Sequence, residues 1–313
     1  MYEVKGALVI FCNQTAQKSA KINIMMPPKS RNQKGTINLE RNSHMMDMKK
    51  VVVVPALLFA GVSLTSLAYA QDEDESKWGG NIILGVGLKP DFEGSEDYEA
   101  TPLAAGKLEY GQYYLEAYGT NLRANVSPLS NIEFGPSLSF GGGRDDVDNE
   151  RVDRMRDIDD TVEAGAFVKI PLRQVFDDKD EFEFGVEFLA DTGDAHEGYK
   201  VKLGLSYKYS LTEKLRLGAS LSTTYASDDY NQTYFGIDAD NSARSGLPQY
   251  EADAGFKDVG IGVNALYRLN ENWGVTGIAQ YKKLIGDAAD SPIVDQEGSA
   301  GQAMVGVGIL YRF

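Results

Sequence analysis

The chain is poor in the residue types from which many enzyme sites are built. Its 313 residues include one cysteine, Cys12, and two histidines, His44 and His196. One cysteine cannot form an intramolecular disulfide, and so sparse a set excludes a Cys/His zinc site and a cysteine nucleophile paired with its own cluster. Basic residues are scarce as well, 31 against 46 acidic, for a formal net charge of −15 and an isoelectric point near 4.6. Phosphate binding needs a basic surface, so this balance argues against nucleic acid as a partner. Walker and dinucleotide fingerprints are absent. What the chain has in quantity is glycine (33), tyrosine (17) and phenylalanine (13), at a mean hydropathy of −0.31. That pairing suits β-strands that bury one face only.

Long apolar runs are lacking too, apart from residues 51–70, VVVVPALLFAGVSLTSLAYA. Lys49 and Lys50 precede this run, and it ends in the small-x-small triplet Ala68-Tyr69-Ala70. A basic start, an apolar stretch and such an ending describe a secretory signal peptide at 48–70, cleaved after Ala70. A transmembrane helix also takes about 20 residues. Pro55 and the abruptly polar QDEDES that follows favour cleavage. Residues 1–47 show no sustained periodicity, and Met45, Met46 and Met48 offer later starts, so they read as an upstream mis-start extension. Residues 71–313 then carry 43 acidic and 22 basic residues, a net charge of −21, with no cysteine and His196 alone among histidines. Residues 71–77 form an acidic N-terminal segment. Export without disulfides is compatible with the periplasm or outer membrane of a Gram-negative cell.

Beyond residue 77 the recurring signal is alternation with period two, the mark of a strand with one apolar and one polar face. Residues 131–140 put Ile132, Phe134, Pro136, Leu138 and Phe140 on one face. Residues 161–170 do so with Val162, Ala164, Ala166, Val168 and Ile170. In 181–190 the apolar set is Phe182, Phe184, Val186, Phe188 and Ala190. Residues 198–211 alternate Tyr199, Val201, Leu203, Leu205, Tyr207, Tyr209 and Leu211 with Lys200, Lys202, Gly204, Ser206, Lys208 and Ser210. Further segments lie at 78–88, 214–225, 258–269, 272–283 and 302–313. Strands of this length with aromatic ends match an all-β, transmembrane, antiparallel up-and-down barrel over 78–313.

Connection lengths test that reading. Short periplasmic turns at 127–130, 171–180, 212–213 and 270–271 alternate with mostly longer outer loops at 89–101, 141–160, 191–197, 226–257 and 284–301, as such barrels require. Residues 102–126 are too long for one crossing. Three short strands near 102–110, 112–118 and 121–127 give twelve in all; one long bulged strand gives ten. Val305, Val307, Ile309, Tyr311 and Phe313 share one face, and a terminal Phe on an alternating strand looks like an outer-membrane assembly signal, with Tyr311 beside it. A soluble β-sandwich is the competing architecture.

Two stretches carry a family resemblance. One is Tyr234-Phe235-Gly236-Ile237, then Ser242-Ala243-Arg244-Ser245-Gly246-Leu247 and Tyr250. The other is Gly286-Asp287-Ala288-Ala289-Asp290-Ser291-Pro292-Ile293-Val294. With Glu93-Gly94-Ser95, Gly143-Arg144 and Tyr311-Arg312-Phe313, they make the chain from about residue 78 resemble the MipA/OmpV family of outer-membrane proteins. The family name, from the MltA-interacting protein, implies a scaffold joining a lytic murein transglycosylase to a peptidoglycan synthase. Other members look like adhesins or resistance-associated surface proteins.

By their own chemistry the two motifs are structural. They fall in outer loops, where Gly236, Gly246 and Gly286 are expected to take φ > 0 and Pro292 to fix a turn. Asp287, Asp290 and Ser291 can bond nearby amides and so help fold the loops over the barrel mouth. A cation at Asp287 and Asp290 is the alternative, although calcium needs six to eight oxygens. Loop 141–160 carries seven Asp and Glu150 against Arg144, Arg151, Arg154 and Arg156, which reads as a solvated face or as a contact with lipopolysaccharide. Glu183, Glu187, Lys200, Lys202, Lys208, Arg216, Arg268 and Lys282 are expected to point inward and to narrow the lumen. His196 reads as an isolated surface residue of loop 191–197, with no serine near it in a recognised catalytic motif.

The sequence therefore predicts a non-enzymatic outer-membrane barrel that needs no cofactor and whose role is scaffolding of cell-wall enzymes. A small-solute porin and a surface adhesin are the competing classes. Its expected partners are outer-membrane lipid and lipopolysaccharide, the outer-membrane assembly machinery, and a periplasmic murein transglycosylase with a peptidoglycan synthase. A periplasmic protein would meet the turns, of which 171–180, with Arg173, Gln174, Phe176, Asp177 and Asp178, is the longest.

Overall fold

A computed structural model describes residues 78–313. The signal peptide expected at 48–70, the extension at 1–47 and the acidic segment at 71–77 lie outside the described residues. Alternating apolar side chains can face a bilayer only if every backbone donor and acceptor finds a partner within the protein. Twelve antiparallel strands among the described residues meet that condition by closing on themselves. They are β1 (Trp78–Pro90), β2 (Tyr98–Tyr110), β3 (Tyr113–Tyr118), β4 (Asn121–Asn125), β5 (Glu133–Gly141), β6 (Thr161–Arg173), β7 (Asp180–Asp191), β8 (Tyr199–Ser210), β9 (Leu215–Ala226), β10 (Gly255–Arg268), β11 (Trp273–Leu284) and β12 (Gly301–Arg312). Each pairs with its sequence neighbour, and β1 closes on β12 from Asn81↔Arg312 to Leu88↔Val305.

The expected faces hold. Ile82, Leu84, Val86 and Leu88 of β1 and Val305, Val307 and Ile309 of β12 are all exposed outward, as are Phe134, Val168, Phe184 and Leu205. This apolar band is what a bilayer covers. Aromatic pairs mark its two rims. Trp78 against Tyr110 (4.9 Å) and Trp273 against Tyr311 (4.8 Å) lie at the periplasmic end, Phe188 against Tyr199 (5.7 Å) and Tyr225 against Phe256 (5.6 Å) at the outer end. Tyr311 and Phe313 are both outward and exposed, and the Phe313 backbone exchanges hydrogen bonds with Gly80.

Residues 102–126 do form three strands, which settles the count at twelve, but β3 and β4 are stubs of six and five residues. Most boundaries shift by one to four residues from expectation, and two of the shifts bear on the mouths of the barrel. The outer loop at 89–101 shrinks to 91–97, because β1 and β2 stay paired up to Pro90↔Tyr98. Pro102 is tolerated inside β2 because its edge has no neighbour to receive an N–H at that level. The turn at 171–180 shrinks to 174–179, since Pro171, Leu172 and Arg173 pair with Glu183, Phe182 and Glu181.

The lumen is crossed by polar side chains. Arg123 on β4 grips Glu187 on β7 through two bonds of 2.8 and 2.7 Å, and Ser137 donates to the same carboxylate. Lys169 lies 3.3 Å from Glu116, and Lys208 lies 3.0 Å from Glu181 and 3.4 Å from Glu183. Tyr118 of β3 reaches Gln280 of β11 at 3.4 Å. The inward charges expected on β7 and β8 are thus joined in ion pairs.

Removing one partner of a buried pair leaves the other charge stranded, which typically destabilises by 3–5 kcal/mol, whereas replacing both by apolar groups is far milder. Arg123→Met should destabilise the barrel by about 3 kcal/mol in denaturant unfolding from lipid vesicles, and adding Glu187→Leu should restore most of that loss.

Candidate functional site

The outer connections do not splay into solvent. They carry five helices among the described residues: α1 (Glu150–Asp153), α2 (Asp228–Phe235), α3 (Ala239–Ser245), α4 (Asp287–Asp290) and α5 (Pro292–Asp295). Their starts are capped locally: Asn149, Ser227, Asp238 and Ser291 each accept from a backbone N–H of the first turn. Helices this short need tertiary burial to persist. They obtain it in two apolar clusters over the barrel mouth. Ala226, Tyr230, Phe235, Ala252, Leu284, Ala288 and Val294 form one; Phe92, Val152, Met155, Ile237, Leu247 and Ile293 form the other. Four separate loops thereby become one cap.

The family-motif residues are the joints of this cap. Phe235 and Leu247 are buried in it, and Tyr234 packs on Tyr230 at 4.6 Å. Ser291 Oγ donates to Phe235 O at 2.6 Å, fastening the 285–300 loop to the 227–254 loop. Tyr250 OH donates to Asp287 O at 3.0 Å, and Asp253 N donates to Asp287 Oδ2 at 2.7 Å. Asp290 closes α4, and Pro292 starts α5. Ser245 Oγ donates to Asn241 O at 2.7 Å and accepts from Leu247 N at 3.1 Å. Gly246 and Gly286 have φ of 73° and 56°, as expected. Gly236 does not: its φ is −73°, and glycine is needed there because a Cβ would lie 2.4 Å from Gln232 O.

Loop 142–160 is solvated on one side only. Its seven Asp, Glu150, Arg154 and Arg156 are exposed, whereas Val152, Met155 and Arg144 are buried in the cap. Arg144 is buried and donates to Tyr234 O at 3.0 Å. Arg151 reaches Glu297 and Gly246 O, Arg154 reaches Arg244 O, and Arg156 pairs with Asp238 and Asp240. The anchoring of Arg144 and Arg151 is hidden in sequence because the carbonyls they reach lie about 90 residues away. The whole cap is acidic: the outer connections hold 24 Asp and Glu against five Arg.

Beneath the cap lies a buried cluster of ionisable groups. His196, expected on the surface, has no exposed side-chain area; its Nε2 is 3.3 Å from Glu163 Oε1, and its Nδ1 accepts from Gly198 N at 3.0 Å. Its loop is folded inward by Asp191, whose Oδ2 accepts from His196 N at 2.9 Å. Lys200 pairs with Glu163 at 2.8 Å. A β-bulge at Phe256/Asp258 turns both Lys257 and Asp258 inward, and Lys257 meets Glu93 from the 91–97 loop. Tyr230 sits between the two ammonium groups, 5.3 Å from Lys200 and 5.5 Å from Lys257. Burial would raise the Glu93 carboxyl, but Lys257 and Lys282 beside it override that and hold it at about 2. Sequence placed Lys200 and Lys282 inward but not the rest of this cluster, since alternation assigns Lys257 no inward place without the bulge.

At the opposite end, Asp180 accepts from the N–H groups of Val175, Phe176 and Asp177 (2.7, 2.9 and 3.2 Å) and shapes the 174–179 turn. Gln174 has a φ of 59°. Phe176 packs edge-on against Phe182 at 5.5 Å, Asp177 accepts from Tyr209 OH, and Arg173 pairs with Glu181 at 3.1 Å. Asp178 and Arg173 line a 370 Å³ cavity at this mouth of the lumen, with Lys208 and Arg216.

Two outcomes follow for the cap. Phe235→Ala removes the ring at its centre and should weaken the cap by about 4 kcal/mol, read as protease cleavage in 227–254 on intact cells. The Glu93 carboxyl is depressed below its ordinary 4.5, so its stabilising contribution is complete above about pH 5 and disappears as pH falls towards 2. Hydrogen exchange of residues 91–97 should speed up across that range, and Glu93→Gln should remove the dependence.

The comparisons with known proteins agree with this architecture. The family described as MltA-interacting protein MipA matches over residues 82–313. Outer membrane protein OmpV of Vibrio cholerae is 26% identical over 273 residues, 85% of this chain and 100% of its own length. MltA-interacting protein of Escherichia coli K12 is 28% identical over 123 residues, 39% of this chain and 48% of that protein. The solved outer membrane channel DcaP of Acinetobacter baumannii overlaps 78% of this chain and 100% of its own at 10% identity and a TM-score of 0.37, too loose an overlap to bear on function. The barrel is an outer-membrane protein, and the chain belongs to the MltA-interacting protein MipA family.

Proposed function

We propose that the protein is a non-enzymatic scaffold that holds murein enzymes at the inner face of the outer membrane. The observation that carries this reading is the 174–179 turn. Asp180 fixes its backbone, and Phe176 at its tip is the most exposed large apolar side chain among the described residues, at 79%. A preformed turn presenting an aromatic group beside Asp177, Asp178 and Arg173 is the kind of anchor that protein partners bury. The MltA-interacting relative, by its name, supports a murein-degrading transglycosylase as one partner. The peptidoglycan synthase rests on the family resemblance. Tyr311 and Phe313 are read as the mark recognised by the outer-membrane assembly machinery.

A packed cap over one mouth and ion pairs across the lumen speak against a permanently open porin. The acidic cap favours an adhesin as the second reading, because a strongly charged outer surface steers oppositely charged partners. Replacing residues 174–179 with an Asn-Gly turn should abolish capture of a lytic transglycosylase by the purified barrel in lipid discs. Capture at the original level would sink the assignment to this turn, and no capture by the unaltered barrel would sink the scaffold reading. Steady, large conductance of the intact protein in planar bilayers would return it to the channel class.

A further inference from the structure

The barrel wall has a side window. On its β1 side, β2 is paired along its whole length, from Trp78↔Tyr110 to Pro90↔Tyr98. On its β3 side, pairing stops at Ala105↔Tyr118, with a last bond from Gly119 N to Ala104 O. Beyond β4, the β5 ladder begins with Asn121↔Ser139, and Phe140 N donates to Thr120 O. Above the β3–β4 turn, two strand widths of wall are missing between β2 and β5, about 10 Å, beside some 20 Å of unpaired β2 edge. The 142–160 loop closes the top: Asp148 N donates to Asp91 Oδ2, and Val152 and Met155 pack with Phe92. A Cβ at Gly119 or at Gly142, on either side of the gap, would meet no atom within 4 Å.

An unpaired edge inside hydrocarbon is costly unless its polar groups are quenched. Here they nearly are. Ala104 points its carbonyl at β3, so alternate residues Ala100 and Pro102 direct their backbone groups into the window. Pro102 has no N–H, and its carbonyl takes the Thr101 hydroxyl at 3.5 Å. Ala100 is left as the rim's donor below Tyr98. An added protein strand needs a regular ladder of donors, which this edge does not offer. The outward neighbours of the opening, Pro102, Ala104, Leu138 and Phe140, belong to the lipid-facing band.

Inside the window the lumen changes character. The wall from β10 to β2 carries an apolar strip, with Asn264, Thr276 and Gln280 among it: Leu103 lies over Gly87 and Gly306, Ile83 over Gly308, and Leu266 against Gly274. Ile278 and Leu310 continue it, all half-exposed to the interior. Interiors of such barrels are ordinarily polar. Tyr118, at the foot of the window, reaches over this wall to Gln280. We propose that the window admits an acyl chain of an outer-leaflet lipid, which lies along the Leu103 wall. The Ala100 N–H is placed to take an oxygen of the lipid's headgroup region.

Tryptophan reporters in vesicles of phosphatidylcholine with brominated acyl chains test this, because bromine quenches an indole that it touches. Trp78 and Trp273, both at the periplasmic rim, are first replaced by Phe. A Leu103→Trp reporter should then lose most of its emission, as an outward Ile309→Trp does, while Ser220→Trp on the far inner wall keeps its own. Leu103→Trp emission as bright as that of Ser220→Trp overturns the proposal. Quenching of Ser220→Trp to the same extent also overturns it, since that would mean general entry along the barrel axis. If Leu103→Trp does not fold, Ile278→Trp on the same wall gives the same reading.

Discussion

Everything in this molecule depends on satisfying backbone polar groups in a medium that offers no hydrogen bonds. A closed antiparallel ladder does that without help from side chains, and side chains are then free to face lipid on one side and water on the other. The period-two pattern, the modest mean hydropathy and the even strand number all follow from this division. So do the aromatic rims, where rings bridge hydrocarbon and headgroups. The same condition explains the gap in the wall. The β2 edge can stand unpaired because proline and a neighbouring hydroxyl leave little on it to satisfy.

The two ends of the barrel are built on different physics. The outer end is a small globular domain in its own right, with two apolar clusters that tie four loops together over a buried set of ion pairs. Glu93, Lys257, Asp258 and Lys282 sit under it, Glu163, His196 and Lys200 beside them, with Tyr230 between the two groups. The periplasmic end has short turns fixed by one or two Asp, Asn, Ser or Thr side chains, and its 174–179 turn is shaped by Asp180. Acidic residues concentrate at the outer end, so the chain's net charge describes the cap far more than the barrel.

The candidate site was legible in part. The motif residues Tyr234, Phe235, Ser245, Leu247, Tyr250, Ser291 and Pro292 fell in predicted outer loops, and their closing over the mouth was expected from their turn chemistry. Arg154 and Arg156 are exposed as expected, but the anchoring of Arg144 and Arg151 in the cap was missed, because charge in sequence gives no indication of a carbonyl 90 residues away. His196 was misread for a related reason: Asp191 folds its loop inward, and an Asx bond leaves no periodic trace. Lys257 was hidden by a bulge that breaks alternation at a single residue.

The strand faces, the parity of the loops and the family motifs were determined by sequence alone, since each is local: period two needs only neighbours along one strand. What only the tertiary structure decided are the contacts between strands far apart in sequence. The grip of Arg123 on Glu187, the cap's shared core, the cluster around Tyr230 and the gap above the β3–β4 turn all depend on register and closure. A strand's alternation says which way a side chain points, but the ladder sets its height in the wall, and height decides which charges meet across the lumen and where the wall is left open.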